Sequence, residues 1–74
     1  GDYDNALANY RRALDLAPNH LGANEYIGEA YIELGDLAKA EEHLAALARL
    51  CAGGCDEYDD LSWAVAAYKA ANGG

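Results

Sequence analysis

The chain has no phenylalanine and no methionine, and only one proline and one tryptophan among its 74 residues. β-Branched residues are scarce as well, with Ile27, Ile32 and Val65 standing almost alone. A chain whose apolar share is built instead from alanine, leucine and tyrosine favours helices over strands. Bases are few: five Lys and Arg face thirteen Asp and Glu, for a net charge of −8. That balance argues against a nucleic-acid backbone or an anionic membrane surface as partner and leaves basic or neutral protein surfaces. Long apolar runs are missing too. Nothing approaches the roughly 18 to 20 residues of a membrane span, so membrane insertion is not expected, and the opening "GDYDNAL" has no signal-peptide pattern. An opening without methionine leads us to expect an upstream segment, which keeps an exported precursor open.

What is present is punctuation at regular intervals. "APNHLG" at 17–22, "GD" at 35–36 and "CAGGCD" at 51–56 separate stretches of helical length. In the first stretch, from Asp2 to Leu16, apolar residues fall at Tyr3, Ala6, Leu7, Tyr10, Ala13 and Leu14. This is the i, i+3, i+4, i+7 spacing of one helix face. Ile27, Ala30, Tyr31 and Leu34 repeat it between Leu21 and Leu34; Leu37, Ala40, Leu44, Leu47 and Cys51 carry a third stripe; Tyr58, Leu61, Val65 and Tyr68 carry a fourth. Four helices joined by loops of a few residues must run antiparallel to their neighbours.

The stretches also repeat. "GDYDNALANYRRALDL" from Gly1 aligns with "GDLAKAEEHLAALARL" from Gly35, so that Gly1/Gly35, Asp2/Asp36, Ala6/Ala40 and Leu16/Leu50 are identical and Tyr10/Leu44 are both large and apolar. An offset of 34 residues built from two helices is the tetratricopeptide period. The chain resembles the tetratricopeptide repeat family through Ile27 at a position usually Leu, Gly28 at a small position, Tyr31 at the usual Tyr and Ala40 at the small position of the second helix. Tyr10, Ala13 and Pro18 match the end of a preceding repeat. Departures are Asn24 for the customary Trp, Leu47 for Ala and Ala52 for the closing Pro.

The resemblance implies an all-α fold, a tetratricopeptide-type α-solenoid of antiparallel helical hairpins with about one and a half repeats and a cap. Residues 1–18 would be the second helix of a partial repeat, 19–52 one full repeat, and 53–74 the capping helix and C-terminal tail. Small residues at Ala6, Ala13, Gly28 and Ala40 allow close approach of helix backbones. The first helix, with Tyr3, Leu7, Tyr10 and Leu14 against a single neighbour, invites either further repeats upstream or self-association.

Cys51 and Cys55 flank Ala-Gly-Gly, which breaks the helix and lets the two sulfurs approach. A structural disulfide, two inert thiols, or redox or metal chemistry all remain open. Against the last, Asp56, Glu57, Asp59 and Asp60 crowd Cys55 with charge that disfavours a thiolate. The histidines, His20 and His43, are single and distant, so no metal site and no cofactor are expected. A disulfide would indicate an oxidising compartment, and reduced thiols a cytoplasmic one. The tail resembles the end of small exported bacterial tetratricopeptide proteins, which implies the periplasm.

In that family the first helix of each repeat lines the concave face. The resemblance therefore assigns partner binding to Glu25, Glu29, Ile32 and Glu33 and, one period on, to Asp59 and Trp63. These carboxylates beside an aromatic would suit a basic or neutral protein segment. The same glutamates can equally form a solvated helix face. His20 is expected in an exposed turn and His43 on an exposed flank. No catalytic set or phosphate loop appears, so a non-enzymatic scaffold or adaptor is the leading expectation. A thiol-disulfide redox protein using Cys51/Cys55 and a structural subunit of a larger assembly are the alternatives.

Overall fold

A computed structural model describes the backbone of residues 2–72 and the side chains of residues 4–72. The described residues form four helices and no strand: α1 (Asp2–Leu16), α2 (Leu21–Glu33), α3 (Leu37–Leu50) and α4 (Asp56–Ala71). The expectation of an all-α hairpin stack holds. The side chain of the stripe residue Tyr3 and the tail residues Gly73 and Gly74 lie outside what is described.

Local chemistry sets the helix ends. At the start of α2, His20 is in an extended conformation and its Nδ1 accepts from the Ala23 N–H at 2.9 Å. Asp36 does the same for α3 through its carboxylate and the Lys39 N–H. Such caps satisfy amide donors that a first helical turn leaves without partners. The end of α2 needs a left-handed residue, which Gly35 supplies at φ 79°. The Asp36 N–H then donates to the Tyr31 carbonyl and the Gly35 N–H to the Ile32 carbonyl, a Schellman closure that turns the chain sharply into α3.

α2 is the centre of the packing and meets all three other helices, whereas among the described helices α1 meets α2 alone. The core follows from this: Ile27, Leu47 and Leu61 are fully buried, joined by Leu7, Ala30, Tyr31, Ala40 and Val65. Where α2 crosses α4 there is no room for a side chain. A Cβ on Gly28 would lie 2.5 Å from Leu61 Cδ2 and 2.8 Å from Cδ1. Gly28 and the fully buried Ala40 thus sit where adjoining helices touch, as the repeat pattern requires.

One expectation needs correction. His43 is half-buried rather than on an open flank, because its Nδ1 lies 3.1 Å from the Asn24 Oδ1 and its ring stacks on Tyr31 at 6.0 Å. Asn24 is itself buried, and its amide donates to the carbonyls of His20 and Pro18. With the Nδ2 hydrogens used, Oδ1 must accept, so His43 carries its proton on Nδ1. This residue, unusual for its repeat position, therefore ties the α1–α2 turn to α3. Burial holds the His43 pKa below the ordinary histidine value.

Candidate interaction surfaces

The two cysteines come together between α3 and α4. Cys51 caps the end of α3 and Cys55 starts α4, and they are joined as a disulfide with Cα atoms 6.0 Å apart. Gly54, at φ 97°, makes the turn between them possible. Cys55 Sγ also accepts from the Tyr58 N–H at 3.4 Å, so the bridge doubles as a helix cap. Three acids in the first turn of α4, Asp56, Glu57 and Asp59, match the positive end of the helix dipole. No group of three or more metal-ligating side chains occurs among the described residues.

Charge is divided unevenly between the helices. α2 and α4 hold Glu25, Glu29, Glu33, Asp56, Glu57, Asp59 and Asp60 against the single base Lys69, which is itself paired with Glu41 of α3 at 2.8 Å. The other four bases, Arg11, Arg12, Lys39 and Arg49, are on α1 and α3. Arg11 and Lys39 both stand over the Tyr31 ring, at 5.5 and 5.4 Å from its centroid.

The carboxylates nearest the α2–α4 crossing interact strongly. Glu25 has its pKa raised to about 7, first by burial, then by a hydrogen bond to Glu29, and then by the negative charges of Glu29, Asp60 and Glu57. Near neutral pH burial and these neighbouring charges thus favour the protonated form of Glu25.

A groove of about 450 Å³ opens beside it, between α1 and α2. Its α1 wall is Ala6, Leu7 and Tyr10; its α2 wall is Tyr26, Glu29, Ala30, Ile32 and Glu33; Ala64 of α4 closes one end. Tyr10 and Tyr26 stack across it with centroids 4.5 Å apart. The structure thus collects Glu29, Ile32 and Glu33 in one groove and sets Glu25 at the neighbouring seam. Asp59 and Trp63 stand apart on α4, where Trp63 is 79 % exposed. Sequence reasoning missed Tyr10, Tyr26 and Ala64 as groove residues and Asp60 as a partner of Glu25. The repeat period held part of the signal, since Ala30 and Ala64 are related by 34 residues, as are Tyr26 and Asp60.

Four helices that fold back on one another, with a central helix meeting the other three and small residues at the crossings, define an α-helical repeat stack. The chain belongs to the tetratricopeptide repeat family, whose model matches residues 1–61. Neither a curated protein nor a solved structure matches it significantly. Membership points to protein–protein interaction and to protein partners, and the family is typically non-enzymatic. No described helix is long and apolar enough to cross a membrane.

Proposed function

We propose that the protein is a non-enzymatic adaptor that holds a basic or neutral protein segment on the face formed by α2 and α4, through Glu25, Glu29, Ile32, Glu33, Asp59 and Trp63. The observation that carries this reading is the concentration of seven carboxylates and one paired lysine on these two helices, beside an almost fully exposed tryptophan. Lysine or arginine would meet the carboxylates, and an apolar residue would cover the indole, a residue type that often dominates binding energy. The same charge repels nucleic acid and acidic peptides.

Trp63 is the chain's single tryptophan, so its fluorescence reports binding directly. Titration with a Lys- and Leu-bearing peptide should shift the emission, with an affinity that falls as salt is raised. Glu29→Lys should weaken binding about tenfold, a typical loss for a reversed interfacial charge. An affinity unchanged by Glu29→Lys and by salt would remove the proposal.

The disulfide supports an oxidising compartment, for which the periplasm is our choice. Thiol titration of protein isolated under alkylating conditions decides this, and two free thiols would place it in the cytoplasm instead.

A further inference from the structure

The bridge between Cys51 and Cys55 makes a weak staple. Its four-residue separation closes a small ring, and a disulfide constrains the unfolded chain least where the loop is short. It also lies at the surface. Ala52, Gly53 and Gly54 are exposed, a Cβ at Gly53 or Gly54 would meet nothing within 4 Å, and both cysteines are only half-buried, so a thiol can approach along the turn. Each sulfur has a partner that serves it when the bond is open. Cys51 Sγ lies 2.9 Å from the Leu47 carbonyl oxygen, an acceptor for a thiol hydrogen, while Cys55 Sγ already accepts from the Tyr58 N–H at the start of α4. The reduced pair therefore finds its hydrogen bonds in place, and the core need not move.

What the bond holds is the first turn of α4. That helix is anchored by Leu61 and Val65, its two buried residues, both beyond the first turn, whereas Asp56, Asp59 and Asp60 are exposed and Tyr58 packs only at the edge of the core. The bridge fixes where this turn begins. Asp59 belongs to the proposed partner face, and the charges of Glu57 and Asp60 bear on Glu25 across the helix crossing. We propose that Cys51 and Cys55 form a redox switch for that face: oxidised, the pair locks the first turn of α4 beside α2, and reduced by a dithiol, it lets the turn loosen and the partner segment go. The proposal rests on the adaptor reading and adds its regulation. In the exchange the reductant's thiolate attacks Cys51 Sγ, the S–S bond breaks, and Cys55 leaves as a thiolate stabilised by the Tyr58 N–H and the positive end of α4. The acids of that turn favour its rapid protonation. The reductant's second thiol then displaces Cys51, which takes a proton and can donate it to the Leu47 carbonyl; two electrons have passed to the cysteine pair, and the dithiol has become a disulfide.

Dithiothreitol and Trp63 fluorescence test the switch on the full chain. The bridge should open in native buffer without urea, and the Lys- and Leu-bearing peptide should then bind about fivefold more weakly, the loss expected if the first turn is ordered in about one reduced molecule in five. Reoxidation should restore the affinity. Backbone amide relaxation should show the cause, with order parameters at Asp56–Asp60 falling below about 0.6 on reduction while those of α2 and α3 hold. A merely structural bridge shifts the unfolding midpoint and leaves both readings alone. The Cys51→Ser/Cys55→Ser variant should bind at the reduced level with or without dithiothreitol. A bridge that opens only in urea, equal affinity in the two redox states, a first turn that stays rigid after reduction, or a Ser variant that binds like the bridged protein overturns the switch. Binding that Glu29→Lys weakens but dithiothreitol does not leaves the adaptor reading standing without it. Absence of peptide binding in both states sinks the two together.

Discussion

Ala6 and Ala40 occupy the same place in a repeating pattern, yet one borders an open groove and the other is sealed. The two seams they mark differ throughout. At the α3–α4 seam, α2 lies across the pair, Leu61 is fully buried under Gly28, and a disulfide closes the far end. At the α1–α2 seam, Leu7 is buried but Tyr10 and Leu14 are half-covered, Tyr26 is 55 % exposed, and α1 rests on a single neighbour. In a stacked-repeat protein each unit is stabilised by the next, so equivalent positions differ in stability according to their place in the stack. The closed seam holds most of the buried core, and the open one leaves Ala6, Tyr10 and Tyr26 partly accessible.

Several substitutions would break or sharpen this contrast. The largest effect is expected from paired truncations: Leu61→Ala should cost about 3 kcal/mol and Leu7→Ala about 2 kcal/mol or less, because α1 can close over its own cavity. Urea midpoints compare the two directly, and equal losses would deny that the seams differ. Close behind, Ala40→Leu overfills the sealed seam at a cost of about 2 kcal/mol, while Ala6→Leu, with room beside it, should leave the midpoint nearly where it was. Removing the bridge with Cys51→Ser and Cys55→Ser should lower stability by about 2 kcal/mol by the loop-entropy relation, an effect that a reducing agent reproduces in the unmutated protein. Replacing Asn24 by Ala strands the ties to His20 and His43 and should cost about 1–2 kcal/mol.

The smallest effect is a change in slope. Glu25 titrates at about 7 in the folded chain against an ordinary 4.5, so between these values the folded state holds a proton that the unfolded state releases. Its contribution to stability is therefore greatest at low pH and fades as pH rises through 7. His43 acts the other way: with its folded pKa lowered by burial, the unfolded chain takes up the proton first, and stability falls as pH drops below the ordinary 6.5. Glu25→Gln should raise stability at pH 8 and steepen the acid loss that His43 causes. Unfolding midpoints from pH 5 to 8 measure this, and an unaltered slope would mean that Glu25 feels its neighbours only weakly.

Much of this molecule was legible in its sequence because the relevant forces are local or periodic. The four helical stripes, the small residues at Gly28 and Ala40, the glycine turn at Gly35 and the exposed side of Trp63 all follow from spacing and steric demand. The candidate interaction surface was legible only in part. Glu29, Ile32 and Glu33 share a helix side and come to one groove, but the α1 wall and the Tyr10–Tyr26 stack join residues from two helices, and no single stripe announces them. Asn24 and His43 were hardest to read. A polar residue in a core is intelligible only with its partner, and that partner lies 19 residues away.

By itself the sequence determined the repeat: helix lengths, turn positions and the register of small against large residues, since these depend on contacts within one hairpin and recur every 34 positions. Tertiary structure alone decided which copy of each position is covered and which is bare, how Asp60 and Glu57 of α4 come to bear on Glu25, and how a histidine came to be drawn inward. Burial and charge coupling depend on distances across helices, and those exist only once the stack has assembled.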